Sequence, residues 1–211
     1  MDASFQIPLT LAYVHSAPVA QILSELKRWL QKENPICLVH PHGFCVILLG
    51  RTEAEDWRLH IWPSRERIVS GMPAFIHTHD RCIESRILKG SMTNVLYDVR
   101  EVKVGGFPLY EVIYGGDRYL SKTSNFLSKT NIRVEPKSIQ RQKLESGDVY
   151  RVERDVYHEV IVPEGALTVT IVCMHSFLPS PVLLVGQDGF PSSIVSTRVE
   201  RRASEIFDNE Y

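Results

Sequence analysis

The chain is 211 residues long, 44% hydrophobic and 23% charged, with a formal net charge of −1. That length is enough for one well-buried core with decorations, so a single domain over residues 1–211 is expected. The balanced charge lacks the basic excess that a phosphate backbone calls for, and no run approaches the roughly 18 apolar residues of a membrane span, so neither nucleic acid nor membrane is an expected partner.

The N-terminal stretch MDASFQIPLTLAYVH has an acid at position 2 and no basic residues ahead of an apolar run, so a cytoplasmic location is expected. The stretch SAPVAQILSELKRWLQKEN reads as a helix over about 17–34, with Ser16 as N-cap and Pro18 in the first turn. Val19, Ile22, Leu23, Leu26, Trp29 and Leu30 recur at helical spacing, so one face packs against the outside of a sheet, and Asn34-Pro35 ends the helix.

From residue 35 to about 186 the chain turns to short runs rich in Val, Ile, Tyr and Thr, punctuated by Gly, Pro and Asp, the signature of a mainly β sandwich or barrel. ICLVHPHGFCVILLG reads as a hairpin turning at Pro41-His42-Gly43, where His40 and His42 are expected in solvent. Further strands are expected at WRLHIWP, AFIHTH, CIESRIL, TNVLYDVREVKV, LYEVIYG, DVYRVER, HEVIVP and LTVTIVCMHS. The irregular segment 117–143 reads as a lid over the barrel mouth or as a peripheral elaboration. The charged tail 192–211 reads as a short helix or a frayed end. Cys37, Cys45, Cys82 and Cys173 lie far apart without a CxxC pair, which points to reduced thiols rather than a zinc ribbon or disulfide framework.

Chemistry concentrates in SGMPAFIHTHDRCIESRILKG. Alternation along a strand puts His77 and His79 on one face, where two imidazoles can converge on a metal ion. After a turn at Asp80-Arg81, Glu84 and Arg86 share one face of the returning strand, and Ile83, Ser85 and Ile87 the other. By itself an HxH pair is as compatible with a solvated strand as with a site.

Gly71, five residues, His77-Thr78-His79, four residues, Glu84, five residues and Gly90 resemble the first motif of the cupins, G-x5-H-x-H-x(3 or 4)-E-x6-G. Gly147, five residues, Glu153, Asp155, two residues and His158 resemble the second, G-x5-P-x-G-x2-H-x3-N, with Glu153, Asp155 and Val162 where proline, glycine and asparagine stand in the family. The resemblance implies a double-stranded β-helix, the jelly-roll barrel, preceded here by the helix. It also implies one divalent metal held by His77, His79, His158 and Glu84. The gap from Glu84 to Gly90 is one residue short of the family's: if the strand keeps the register of Gly90, the glutamate slot falls on Ile83 and Glu84 faces away, and otherwise Glu84 is the fourth ligand. The donor set suits Fe(II), Mn, Ni, Co, Cu or Zn, with Fe(II) preferred here.

Such a metal supports oxidation by O2 or Lewis-acid chemistry. The reading is an Fe(II) dioxygenase of a small polar metabolite. The alternatives are a metal-dependent isomerase, epimerase or lyase, and a non-catalytic ligand-binding or sensing protein. Within the cupins, the thiol dioxygenases also use histidines alone, but Thr170 to Met174 lacks their Ser-x-His-x-Tyr run. Arg58, Arg86 and Tyr97 are candidates to hold the substrate, and Arg86, Tyr157 and His60 to act in catalysis. His60 lines the pocket if its strand belongs to the inner sheet, and His175 is expected at the rim. The expected partners are a small-molecule substrate and a second copy of the chain in a homodimer.

Overall fold

The computed structural model describes residues 7–65, 69, 71–117 and 123–207. The chain opens with α1 (Leu11–Ser16) and α2 (Val19–Glu33), followed by β1 (Ile36–Val39), β2 (Cys45–Arg51) and β3 (Glu55–Trp62). Next come β4 (Cys82–Lys89), β5 (Ser91–Glu101), β6 (Phe107–Tyr114) and β7 (Ser124–Glu145). The remaining elements are β8 (Val149–Val152), β9 (Tyr157–Ile161), β10 (Thr168–His175), β11 (Val182–Val185), β12 (Ser193–Thr197), β13 (Val199–Arg202) and α3 (Ala203–Phe207).

The fold is mainly β, in two antiparallel sheets. One runs β13-β1-β2-β3-β10-β4-β8 and the other β11-β6-β7-β5-β9, with β12 on the side of β7. The central strands of the first sheet, β2, β3, β10 and β4, are buried on both faces because each face meets a different core. In β3, Trp57, Leu59 and Ile61 join Ile22, Leu26 and Leu30 of α2. Trp62, on the opposite face, joins Ile83, Ile87, Met92 and Val172 in the interior. The uninterrupted apolar run of β10 has the same cause, with Ile171 and Cys173 toward the helices and Val172 and Met174 inward.

Several sequence expectations change. The helix expected at about 17–34 is α2, Val19–Glu33, and a short additional helix, α1, precedes it. Ser16 does not cap α2; it ends α1, where its hydroxyl donates to Ala12 O at 2.7 Å, and Pro18 takes the capping position of α2. The C-terminal end matches expectation, with Asn34 left-handed at φ 42°. AFIHTH is not a regular strand; His77 makes isolated bridges to His158 and Leu184.

The largest change is β7, 22 residues of regular strand where a lid or irregular elaboration was expected, with 118–122 of that segment outside the described residues. Most of β7 is exposed, so it carries little apolar alternation, and main-chain bonding to β5 and β6 defines it instead. Pro136 is tolerated there because, among the described strands, that stretch pairs along one edge only, with β5. The tail adds β12, β13 and α3, so regular structure extends past 186, with 208–211 outside the described residues. Among the described residues, no helix is long and apolar enough to cross a membrane.

Candidate metal centre

The stretch from Ile76 to His79 lies between β9 and β11 and bonds to both. His77 N–H donates to His158 O at 3.0 Å and His158 N–H to His77 O at 2.9 Å, while Thr78 N–H donates to Leu183 O at 2.9 Å. A directly opposed antiparallel pair presents both side chains on one face, so the backbone itself sets His77 beside His158. His79, two residues further on, reaches the same face.

Ligand atoms of His77, His79 and His158 all lie within 4.8 Å of one another. His79 Nε2 and His158 Nε2 are 3.0 Å apart. Two ligands about 2.1 Å from one ion and at right angles lie about 3.0 Å apart, so this pair already has the separation of neighbouring ligands. Two further contacts select the donor atoms. His158 Nδ1–H donates to Asn94 Oδ1 at 3.1 Å, and His77 Nδ1–H donates to Phe75 O at 2.7 Å. With Nδ1 protonated, each ring keeps the Nε2 lone pair for a metal, the orienting arrangement that metal-binding histidines use. Opposed bare lone pairs would repel, so the His79–His158 contact calls for a shared proton or a shared cation.

A cavity of about 110 Å³ surrounds these rings, lined by six of the eight histidines: His40, His42, His60, His77, His79 and His158. Phe44 stacks on His40 at 4.3 Å and on Trp62 at 4.8 Å, forming an aromatic wall. Burial holds the imidazoles of His40, His60 and His158 well below their ordinary pKa, and lowers that of His77 as well. Burial and the neighbouring His77 push His42 down to about 3. These rings are neutral at pH 7, the protonation state in which imidazole binds a metal. Arg58 and Arg198 also line the cavity, and among the described lining residues there is no carboxylate.

Of the residues singled out in the sequence, His77, His79 and His158 come together, and Arg58 and His60 line the cavity beside them. Arg58 also pairs with Asp56 at 3.5 Å. Glu84 does not join the histidines. Ile83 lines the cavity in its place, and Glu84 faces outward to His175 at 3.3 Å, His15 at 3.6 Å and Arg151 at 3.2 Å. The register follows from Gly90, whose φ of +76° turns β4 into β5 and whose missing side chain leaves room for Leu167 O. His175 is therefore a partner of Glu84.

Arg86 shares the outward face, where its Nη1 donates to Val14 O at 2.6 Å and Ala17 O at 2.7 Å, so it anchors the end of α1. Tyr97 and Tyr157 are cross-strand partners on the face of the second sheet away from the cavity. There the Tyr97 hydroxyl donates to Glu159, and Tyr157 packs with Leu109, Val134 and Val185. These placements separate Arg86 and Tyr157 from the catalytic role, and Arg86 and Tyr97 from the substrate-binding role, expected of them.

Four residues of the site did not stand out in the sequence. His40 and His42, in the β1–β2 turn closed by His40 N–H to Phe44 O at 2.7 Å, are cavity wall and not solvated turn residues. Asn94 lies among Met92 and Leu96 on the inward face of β5, and a lone amide on an apolar face was its one available signal. Arg198 gave no local signal. No protein-family model matches the chain, and no curated protein matches it.

Proposed function

We propose that the chain is a cupin-type mononuclear metal enzyme, an Fe(II)-dependent oxygenase of a small molecule. The observation that carries this reading is the convergence of three imidazoles inside a cavity, with Nε2 made the donor on His77 and His158 by bonds at Nδ1. Fe(II) held on one face by three imidazoles supplies, when bound, the electrons and open coordination positions for oxidising a substrate with O2.

The chain's own residues then have separable tasks. Asn94 and the Phe75 carbonyl orient the ligand rings. Phe44 and Trp62 exclude water from the cavity wall, with the Phe44 ring 5.0 Å from that of His60. His60 Nε2 is buried with no hydrogen-bond partner among the described residues, which suits it to take or return a substrate proton at that atom. Arg58 supplies positive charge for an anionic substrate group.

The test is anaerobic loading with Fe(II), metal quantitation, and oxygen uptake with amino-acid, thiol and phenolic substrates. One iron per chain, lost in His158→Ala, together with substrate-dependent O2 consumption is the expected result. Iron bound with no O2 consumption across that set overturns the oxygenase reading.

A further inference from the structure

A second cavity, of about 290 Å³, adjoins the first, and His40, His42, His77 and Arg198 belong to the walls of both. The two have different chemistry. The first is ringed by imidazoles, whereas the second is walled largely by aliphatic side chains, among them Met72, Val112, Leu127, Leu184 and Ile194. Arg58 lines the first cavity, Arg198 lines both, and among the described residues lining either there is no carboxylate.

The backbone pins Arg198 at this junction. It is the single residue between β12 and β13, where the chain crosses from one sheet to the other. Thr197 before it pairs with Ser124 of β7, and Val199 after it pairs with Val39 of β1. Ladders on both sides fix the backbone of Arg198 at the boundary between the polar and apolar chambers, and its side chain lines both.

A ligand confined to the histidine chamber would leave the aliphatic chamber unfilled. One that lay only in the aliphatic chamber would not meet the imidazoles. We infer that the natural ligand of this site is an amphipathic carboxylate, with its anionic head among the histidines between Arg58 and Arg198. Its aliphatic or aromatic tail passes His42 into the second cavity. This rests on the metal-enzyme reading and adds to it the substrate class: an organic acid with an apolar side chain.

The experiment is calorimetric titration of the full-length protein, both chelator-treated and Co(II)-loaded, with straight-chain carboxylates from butanoate to decanoate and the matching alkanols. Affinity is expected to rise about fourfold per methylene until the second cavity is full. Each carboxylate is expected to bind at least tenfold more tightly than its alkanol. Arg198→Gln should lose that preference, about tenfold to a hundredfold, while still taking up Co(II). Ile194→Trp and, independently, Leu127→Trp should flatten the chain-length dependence and leave butanoate binding intact.

A flat dependence on chain length, or equal binding of acids and alkanols, in protein with Co(II) on the three histidines overturns the inference and leaves the metal reading standing. Steep, carboxylate-selective binding in protein that takes up no metal supports the inference and removes the metal reading.

Discussion

Asn94 offers the sharpest test of how the site is built. Its Oδ1 accepts from His158 Nδ1–H at 3.1 Å, and both residues are 3% exposed, so water cannot readily replace a lost acceptor. Asn94→Leu, close in size, removes the acceptor while keeping the volume filled. The stranded N–H then costs about 1–3 kcal/mol of stability. The imidazole is also released to adopt the tautomer that carries its proton on Nε2, the atom a metal needs. Losing such an orienting partner lowers metal affinity by about tenfold to a hundredfold, or roughly 1.4–2.7 kcal/mol. Asn94→Asp retains an acceptor at this position and should keep at least wild-type affinity. Competition titration of Co(II) against a chelator, with urea unfolding in parallel, reads both quantities. Binding by Asn94→Leu within about twofold of wild type, when His158→Ala abolishes binding, would refute the claim that Asn94 sets the donor atom.

Glu84→Gln should leave Co(II) affinity unchanged and cost about 1 kcal/mol in urea unfolding, because it loses its ion pair with Arg151 and weakens its contacts with His15 and His175 but touches no ligand. Arg86→Met should cost about 3 kcal/mol by the same assay and leave metal uptake intact, because its charge-assisted bonds hold the Val14 and Ala17 carbonyls. A tenfold loss of metal affinity in either variant would contradict these placements. Acid should destabilise the fold through His40, His42 and His60, whose folded pKa values burial depresses. The unfolded chain binds more protons, so stability is full above about pH 6.5 and falls toward the folded values, with a slope of about 1.4 kcal/mol per pH unit for each such imidazole. Urea midpoints from pH 7 to 4 measure this, and a flat profile below about pH 6.5 refutes it.

What the sequence revealed, and what it hid, follows from the range of the interactions. Alternation along extended chain is a local property, so the shared face of His77 and His79, and that of Arg58 and His60 in β3, were legible. His158, 79 residues beyond His79, came in through the resemblance to the second cupin motif and not through local parity. Glu84 depended on one residue of register, and the short gap to Gly90 carried the correct alternative, with Ile83 inward. The strand β7 was hidden because exposed residues on a pleated ladder need no apolar pattern. Asn94 bonds to a residue 64 positions away, and Arg198 is placed by its neighbours' pairings, Thr197 with Ser124 and Val199 with Val39, none of which local periodicity encodes. His40 and His42 look like turn residues in sequence, and only tertiary packing beside His60, His77 and His158 makes them cavity wall.

The most direct test of the account is anomalous diffraction from crystals of the Co(II)-loaded protein. The account predicts one peak about 2.0–2.2 Å from the Nε2 atoms of His77, His79 and His158, with Glu84 remote from it. A peak held instead by Glu84 with His15 and His175, or no peak at the three imidazoles, would contradict it.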